Sequence, residues 1–184
     1  ETWVLFADLV KAYDTANHEL LFALLKHYGA PPNLVKIIKQ LYTGMKLNLE
    51  FMKEKRKINY TIGVQQGDNM APVLFLFIMQ AFAETLEKRW TDWGLEPPEY
   101  NYMNKGKNMQ GRLFNQSTKA KGTTFNLFYL LFVDDGAFLF NSKEQLKMGA
   151  ELIYDHFKKF GLKMHIGENN ITSKSEVMYF PPNL

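Results

Sequence analysis

The sequence predicts an α+β domain in which an antiparallel sheet is covered by helices on one face. Three observations lead to that class. Alternating apolar runs stand near both ends of the chain and again before residue 140, with stretches of helical periodicity between them. The order is strand, helices, hairpin, helix, strand hairpin, helix, strands, which groups strands into hairpins rather than into parallel βαβ units. The chain has 184 residues, 46% hydrophobic and 15% aromatic, enough for one substantial core and short for two.

The elements follow in order. WVLFADLV opens the chain as a strand. In NHELLFALLKHYG, residues Leu20, Leu21, Leu24, Leu25 and Tyr28 share a helical face, with Asn17 as N-cap and Gly29 as the stop. A second helix is predicted over residues 33 to 43, with Leu34, Ile37, Ile38 and Leu41 aligned and Gly44 closing it. KLNLEFM and INYTIGV alternate like a hairpin around the basic tip KEKRK. After QQGDNMAP a helix from Ala71 to Trp90 is apolar all round in its first three turns, so burial is expected there. Residues 91 to 122 read as an irregular excursion with one short strand. Ser142 and Gln145 form a capping box that opens a helix to Phe160, with Leu146, Gly149, Ala150, Ile153 and Phe157 inward and Gly161 at its end. LKMHI and SEVMYF supply closing strands.

Composition excludes several classes of function. There is no Cys, so disulfides, thiol chemistry and Cys-ligated metals are out. The longest apolar run, VLFLFIMQAF, is shorter than a membrane span, and no signal peptide is visible, so an intracellular protein with no membrane partner is expected. A net charge of +3 and a pI near 8.9 are compatible with a polyanionic partner. The chain opens directly on a strand and without Met, and reads as a piece of something longer.

Chemistry concentrates in FYLLFVDDGAFLF, residues 128 to 140, where Asp134 and Asp135 interrupt an apolar run. Asp135-Gly136 alone reads as a hairpin turn, because both residues tolerate positive φ. That leaves Asp134 at the end of a strand of Phe, Leu and Val. Asp8 is the matching charge in the first strand, bounded by Val4, Leu5, Phe6, Leu9 and Val10. A buried unpaired carboxylate costs several kcal/mol, so such an Asp either reaches solvent at a strand end or has a specific partner. In the predicted sheet the first strand lies beside the hairpin and brings the three together. Each pair at about 4 Å would repel by roughly 4 kcal/mol at an effective dielectric of 20, which divalent cations offset. Oxygen ligands without His or Cys suit Mg²⁺ or Mn²⁺, and two such ions form the clamp used in nucleotidyl transfer.

FADLVKAYD, GVQQGDNMAP, LFVDDG and FGLKMHIG, in that order and spacing, resemble the successive motifs of the reverse transcriptase palm, nearest to the non-LTR retrotransposon and group II intron branch. The resemblance covers nearly the whole chain. It implies a polymerase palm with a ferredoxin-like, RRM-like core, residues 18 to 64 lying towards the fingers, and N-terminal fingers and a C-terminal thumb outside the chain. It further implies RNA-directed DNA polymerisation on an RNA template from a DNA primer with dNTPs, weak or absent in the isolated palm. A non-catalytic palm retained as a nucleic-acid or protein scaffold is the alternative.

The same resemblance assigns residues. Asp8, Asp134 and Asp135 would hold two Mg²⁺ or Mn²⁺ ions, with the Leu9 carbonyl as an extra ligand. Tyr13, five after Asp8, would sit against the sugar and exclude ribonucleotides, or else serve only as a core aromatic. Gln66 and Gly67 would contact the incoming nucleotide and template, Gly because backbone must approach closely. Lys174, or Lys163, would protonate the leaving pyrophosphate. The basic tip Lys53, Lys55, Arg56 and Lys57 would touch template phosphates or form a plain exposed turn. Phe132 and Val133 stand where related boxes carry Tyr and Ala.

Overall fold

The computed structural model describes residues 1–52, 54–65, 67–102, 123–167 and 171–182. β1 (Thr2–Ala7) leads through one helical turn, α1 (Ala12–Thr15), into α2 (His18–His27) and α3 (Pro32–Tyr42). A hairpin of β2 (Lys46–Phe51) and β3 (Glu54–Asn59) precedes the long α4 (Ala71–Asp92). Then follow β4 (Glu99–Tyr102), β5 (Thr123–Asn126), β6 (Tyr129–Phe132), β7 (Asp135–Phe140), α5 (Lys143–Lys159) and β8 (Glu176–Phe180). The main sheet has the order β6-β7-β1-β8, and each neighbouring pair is antiparallel. β2 with β3, and β4 with β5, make two separate ribbons.

Alternation decides which side of the sheet is covered. Leu5 and Ala7 of β1 and Phe138 and Phe140 of β7 point into the core, where α4 and α5 meet them. Phe82 of α4 stacks on Phe157 of α5 with ring centroids 4.1 Å apart, and Trp90 stacks on Phe140 at 5.1 Å. Such pairs add about 1 kcal/mol each beyond the area they bury. Gly149 of α5 is required by this packing, since a Cβ there would meet the Phe140 ring at 2.0 Å.

Between α4 and α5 lies His156, buried with 3% exposure. Arg89 Nη1 donates to its Nδ1 at 3.1 Å, so the proton sits on Nε2, which is 3.2 Å from the Phe82 carbonyl and 2.9 Å from Thr85 Oγ1. Burial, outweighing the bond to Phe82, and the nearby charges of Arg89 and Lys159 push its pKa down to about 4.

Local signals in the sequence are met at both predicted caps. Asn17 Oδ1 accepts the Leu20 N–H at 3.0 Å, and Ser142 Oγ accepts that of Gln145 at 3.1 Å. Gly29, Gly44 and Gly161 each take the left-handed φ that follows a helix.

Four expectations need correction. α3 buries Val35, Ile38 and Tyr42, whereas Leu34, Ile37 and Leu41 are exposed, because the helix packs on α2 through the neighbouring stripe. Only Ile38 of the aligned set faces inward. α4 is not buried all round, since Val73 and Leu76 reach solvent. The basic run is not a tip: Lys55, Arg56 and Lys57 lie along β3, paired with Glu50, Leu49 and Asn48, and Lys53 lies outside the described residues. LKMHI forms only an isolated bridge, Met164 to Leu9, with one backbone bond on either side of it. The short strand expected within residues 91 to 122 is β4, and residues 103 to 122 lie outside the described ones. Among the described residues, no helix is long and apolar enough to cross a membrane.

Candidate active site

Asp8 follows the last residue of β1, and register fixes what stands beside it. Ala7 pairs with Gly136 and Phe6 with Ala137, so the next step of the ladder sets Asp8 beside Asp135 at the start of β7. Asp8 and Asp135 line one cavity of about 410 Å³ together with Phe6, Leu131, Gly136 and Lys174. Phe132, 78% exposed, stands at its rim.

The hairpin turn does not fall where Asp-Gly chemistry suggests. Phe132 pairs with Asp135, which leaves Val133 and Asp134 as the two-residue connection, and Val133 takes φ 57. A β-branched residue in the left-handed region is strained by about 1 to 2 kcal/mol. Gly136 has ordinary φ and serves packing, since a Cβ would come within 2.8 Å of the Phe138 ring. The turn therefore sets Asp134 at its apex and Asp135 on the strand. Asp134 is not among the residues lining the cavity; its charge acts on Tyr13, whose hydroxyl pKa is raised by burial first and by Asp134 second. Among the described residues no group of three His, Cys, Asp or Glu side chains converges as a metal-holding cluster. The pair Asp8 and Asp135 is what the structure brings into one cavity.

The backbone around Asp8 is held on both sides. Its N–H donates to Ser175 Oγ at 3.1 Å, and its carbonyl accepts the His165 N–H at 2.8 Å. Val10 N–H donates to the Lys163 carbonyl at 2.8 Å. These bonds flank the Leu9–Met164 bridge, so Leu9's own N–H and C=O point away from Met164. Of the two candidate lysines, Lys174 lines the carboxylate cavity. Lys163 instead lines a separate one of about 180 Å³ with Val10 and Ile171. Sequence inspection missed Ser175 and His165, which lie 10 residues apart and both bond to the Asp8 backbone.

Tyr13 lies in α1, partly buried, its ring stacked on Phe75 of α4 at 5.1 Å and 23°. Its backbone carbonyl accepts the Val64 N–H at 2.7 Å, which ties α1 to the loop before α4. Gly63 makes that closeness feasible: with φ +92, a Cβ would sit 2.7 Å from the Asp14 carbonyl oxygen. The Gly63 N–H donates to the Ala16 carbonyl, and His18 Nε2 meets the Gly63 carbonyl. Farther along, Gly67 has φ +87 and open space where a Cβ would be, so backbone conformation is what calls for Gly there. Gln66 lies outside the described residues. Asp68 Oδ1 accepts the Met70 N–H at 3.0 Å and leads the chain into α4. On β3, Lys55 and Arg56 are 3.6 and 3.7 Å from Glu50 and Glu54, so part of that basic charge is offset within the ribbon.

An antiparallel sheet with helices on one face and carboxylates at adjoining strand ends is consistent with a palm type of domain. The chain belongs to the reverse transcriptase (RNA-dependent DNA polymerase) family, whose pattern it matches over residues 1–179. It is 32% identical over 81 residues to the retrovirus-related Pol polyprotein from type-2 retrotransposable element R2DM of Drosophila melanogaster, covering 43% of this chain and 8% of that protein. The corresponding protein of type-1 retrotransposable element R2 from Nasonia vitripennis is 32% identical over 85 residues, 46% of this chain and 8% of the relative. A putative COX1/OXI3 intron 1 protein of Saccharomyces cerevisiae aligns over 95% of this chain at 24% identity, and that stretch is 22% of its own length. The chain thus spans less than a quarter of the length of each of these relatives.

Proposed function

We propose that the chain is the catalytic palm of an RNA-directed DNA polymerase, extending a DNA primer on an RNA template with dNTPs. The observation that carries this reading is the cavity shared by Asp8, Asp135 and Lys174 at the adjoining ends of β1 and β7. Its donors are oxygens, and Mg²⁺ is commonly held by one or two carboxylates, with waters and substrate phosphates completing the shell. Asp8, Asp135 and the Leu9 carbonyl would hold the ions, and Asp134 at the turn would reach them from the Tyr13 side. When bound, two Mg²⁺ or Mn²⁺ ions activate the primer hydroxyl and stabilise the leaving pyrophosphate.

The chain's own residues do the rest. Tyr13, braced on Phe75, presents a rigid ring edge against the sugar and disfavours a 2'-hydroxyl. Gly67 and Gln66 offer backbone and amide to the nucleotide and template. Lys174 donates a proton to pyrophosphate as it departs. The split βαββαβ order of the main sheet supports the ferredoxin-like assignment of the core. Fingers and thumb would be carried by other parts of the parent protein, within the cell, and without them positioning is lost and the rate falls steeply.

A scaffold without catalysis is the second reading, favoured by the lack of a converged three-residue ligand cluster among the described residues. Mn²⁺ separates the two. At about 100 times its dissociation constant an ion bound only to the folded state adds about 2.7 kcal/mol, or roughly 5 to 10 °C in Tm for a chain of this size. Asp8→Asn and Asp135→Asn should each abolish most of that rise. A wild-type Tm indifferent to millimolar Mn²⁺, or a rise that survives both substitutions, would rule out the catalytic reading in favour of the scaffold.

A further inference from the structure

We propose that His165 is the positioning residue of this site, seating Lys174 in the carboxylate cavity; the inference rests on the catalytic reading of Asp8 and Asp135. Every polar backbone and ring atom that the structure pairs on His165 serves the same few residues. Its N–H donates to the Asp8 carbonyl at 2.8 Å. Its Nδ1 accepts the Lys174 N–H at 3.2 Å. Its carbonyl accepts from Ser173 Oγ at 2.9 Å and from the Ser175 N–H at 3.2 Å. Ser175 Oγ in turn accepts the Asp8 N–H.

His165 therefore holds the Asp8 backbone through its own N–H and residues 173 to 175 through its ring and carbonyl. Gly167 makes the fold-back feasible. At φ +76 it adopts a backbone that favours glycine, and a Cβ there would come within 2.8 Å of the Ile171 carbonyl oxygen and the Ser173 nitrogen. Residues 171 to 175 thus lie against residues 165 to 167 before β8 begins. A ring nitrogen that accepts a hydrogen bond from a main-chain amide fixes the backbone of Lys174 directly, and Lys174 lines the cavity from that fixed point. A lysine on a loop of this length without such a pin would sample many positions, and its charge would be spread over them.

Two measurements on the chain itself test this. The first is amide hydrogen exchange. His165→Ala should speed exchange of the Lys174 amide by about tenfold or more, since the bond protecting it is gone. His165→Asn, whose Oδ1 can accept the same N–H, should stay within about threefold of wild type. The second is Mn²⁺ affinity. A lysine charge held beside the carboxylates opposes a dication, so Lys174→Ala should tighten Mn²⁺ binding by roughly threefold to tenfold. His165→Ala should tighten it similarly, and the double variant should show no further gain. Simple damage to the site would loosen binding instead.

An unchanged Lys174 amide in His165→Ala overturns the proposal, as do His165→Asn behaving like alanine and additive effects in the double variant. If the wild type binds no Mn²⁺, the catalytic reading falls, while the exchange data still decide whether His165 pins Lys174.

Discussion

Lowering the pH should loosen the helical layer beneath the sheet through His156. In the folded chain its Nδ1 is filled by the Arg89 guanidinium, and a proton there would face a donor that has no lone pair to offer. Burial first, and the nearby charges of Arg89 and Lys159 after it, bring the pKa from 6.5 to about 4. Because the folded value lies below the unfolded one, the folded state binds fewer protons. The contribution is therefore complete above pH 6.5 and is lost as pH falls towards 4. The fall from 6.5 to about 4 corresponds to about 3 kcal/mol in all, of which about 2 kcal/mol disappears between pH 7 and pH 5. Urea unfolding at several pH values in that window, for the wild type and His156→Gln, isolates the effect, since other titrating groups are common to both. The wild-type curve should fall more steeply. Parallel curves between pH 7 and pH 5 would refute the assignment.

Further outcomes follow from the site. On the proposed polymerase reading, Tyr13→Ala in a protein that also carries fingers and thumb should relax the preference for deoxynucleotides by about tenfold, whereas Tyr13→Phe should keep it; an unchanged ratio in Tyr13→Ala, read from primer extension with each nucleotide type, makes Tyr13 a core ring only. Gly63→Ala should cost about 2 kcal/mol or more in urea unfolding, because its φ of +92 and the 2.7 Å approach to Asp14 leave no room for a methyl group. Val133→Asn should hold stability level or raise it by up to about 1 kcal/mol, since Asn accepts a φ of 57 more readily than Val; a clear loss would mean that Val133's packing outweighs its strain. Asp134→Asn should raise metal-free stability by removing one of several like charges and should weaken the thermal response to Mn²⁺, as differential scanning would show.

What could be read from the sequence divides along a physical line. Caps at Asn17 and Ser142 and stops at Gly29 and Gly161 are local signals with local causes, and each is met. α3 failed because both of its adjacent stripes are apolar, so periodicity could not say which one α2 would take. The turn failed because Asp135-Gly136 has the better intrinsic preference, and sheet register overrode it by placing Val133 and Asp134 at the bend. The pinning of Lys174 by His165 and the bond from Asp8 to Ser175 join residues distant along the chain, and no propensity reports such a meeting.

The strand order has a consequence for how the chain is made. β1 is a central strand, yet its partners are β7 and β8, with Trp3 opposite Phe140 on one side and Tyr179 on the other. At about 5 to 20 residues per second, synthesis leaves the apolar WVLFA segment without its sheet partners for roughly ten seconds or longer. Such long-range pairing also folds slowly, because loop closure is completed before any contact rewards it. A nascent chain halted before β8 would pair β1 with β7 alone and leave the other edge of β1 open beside Asp8.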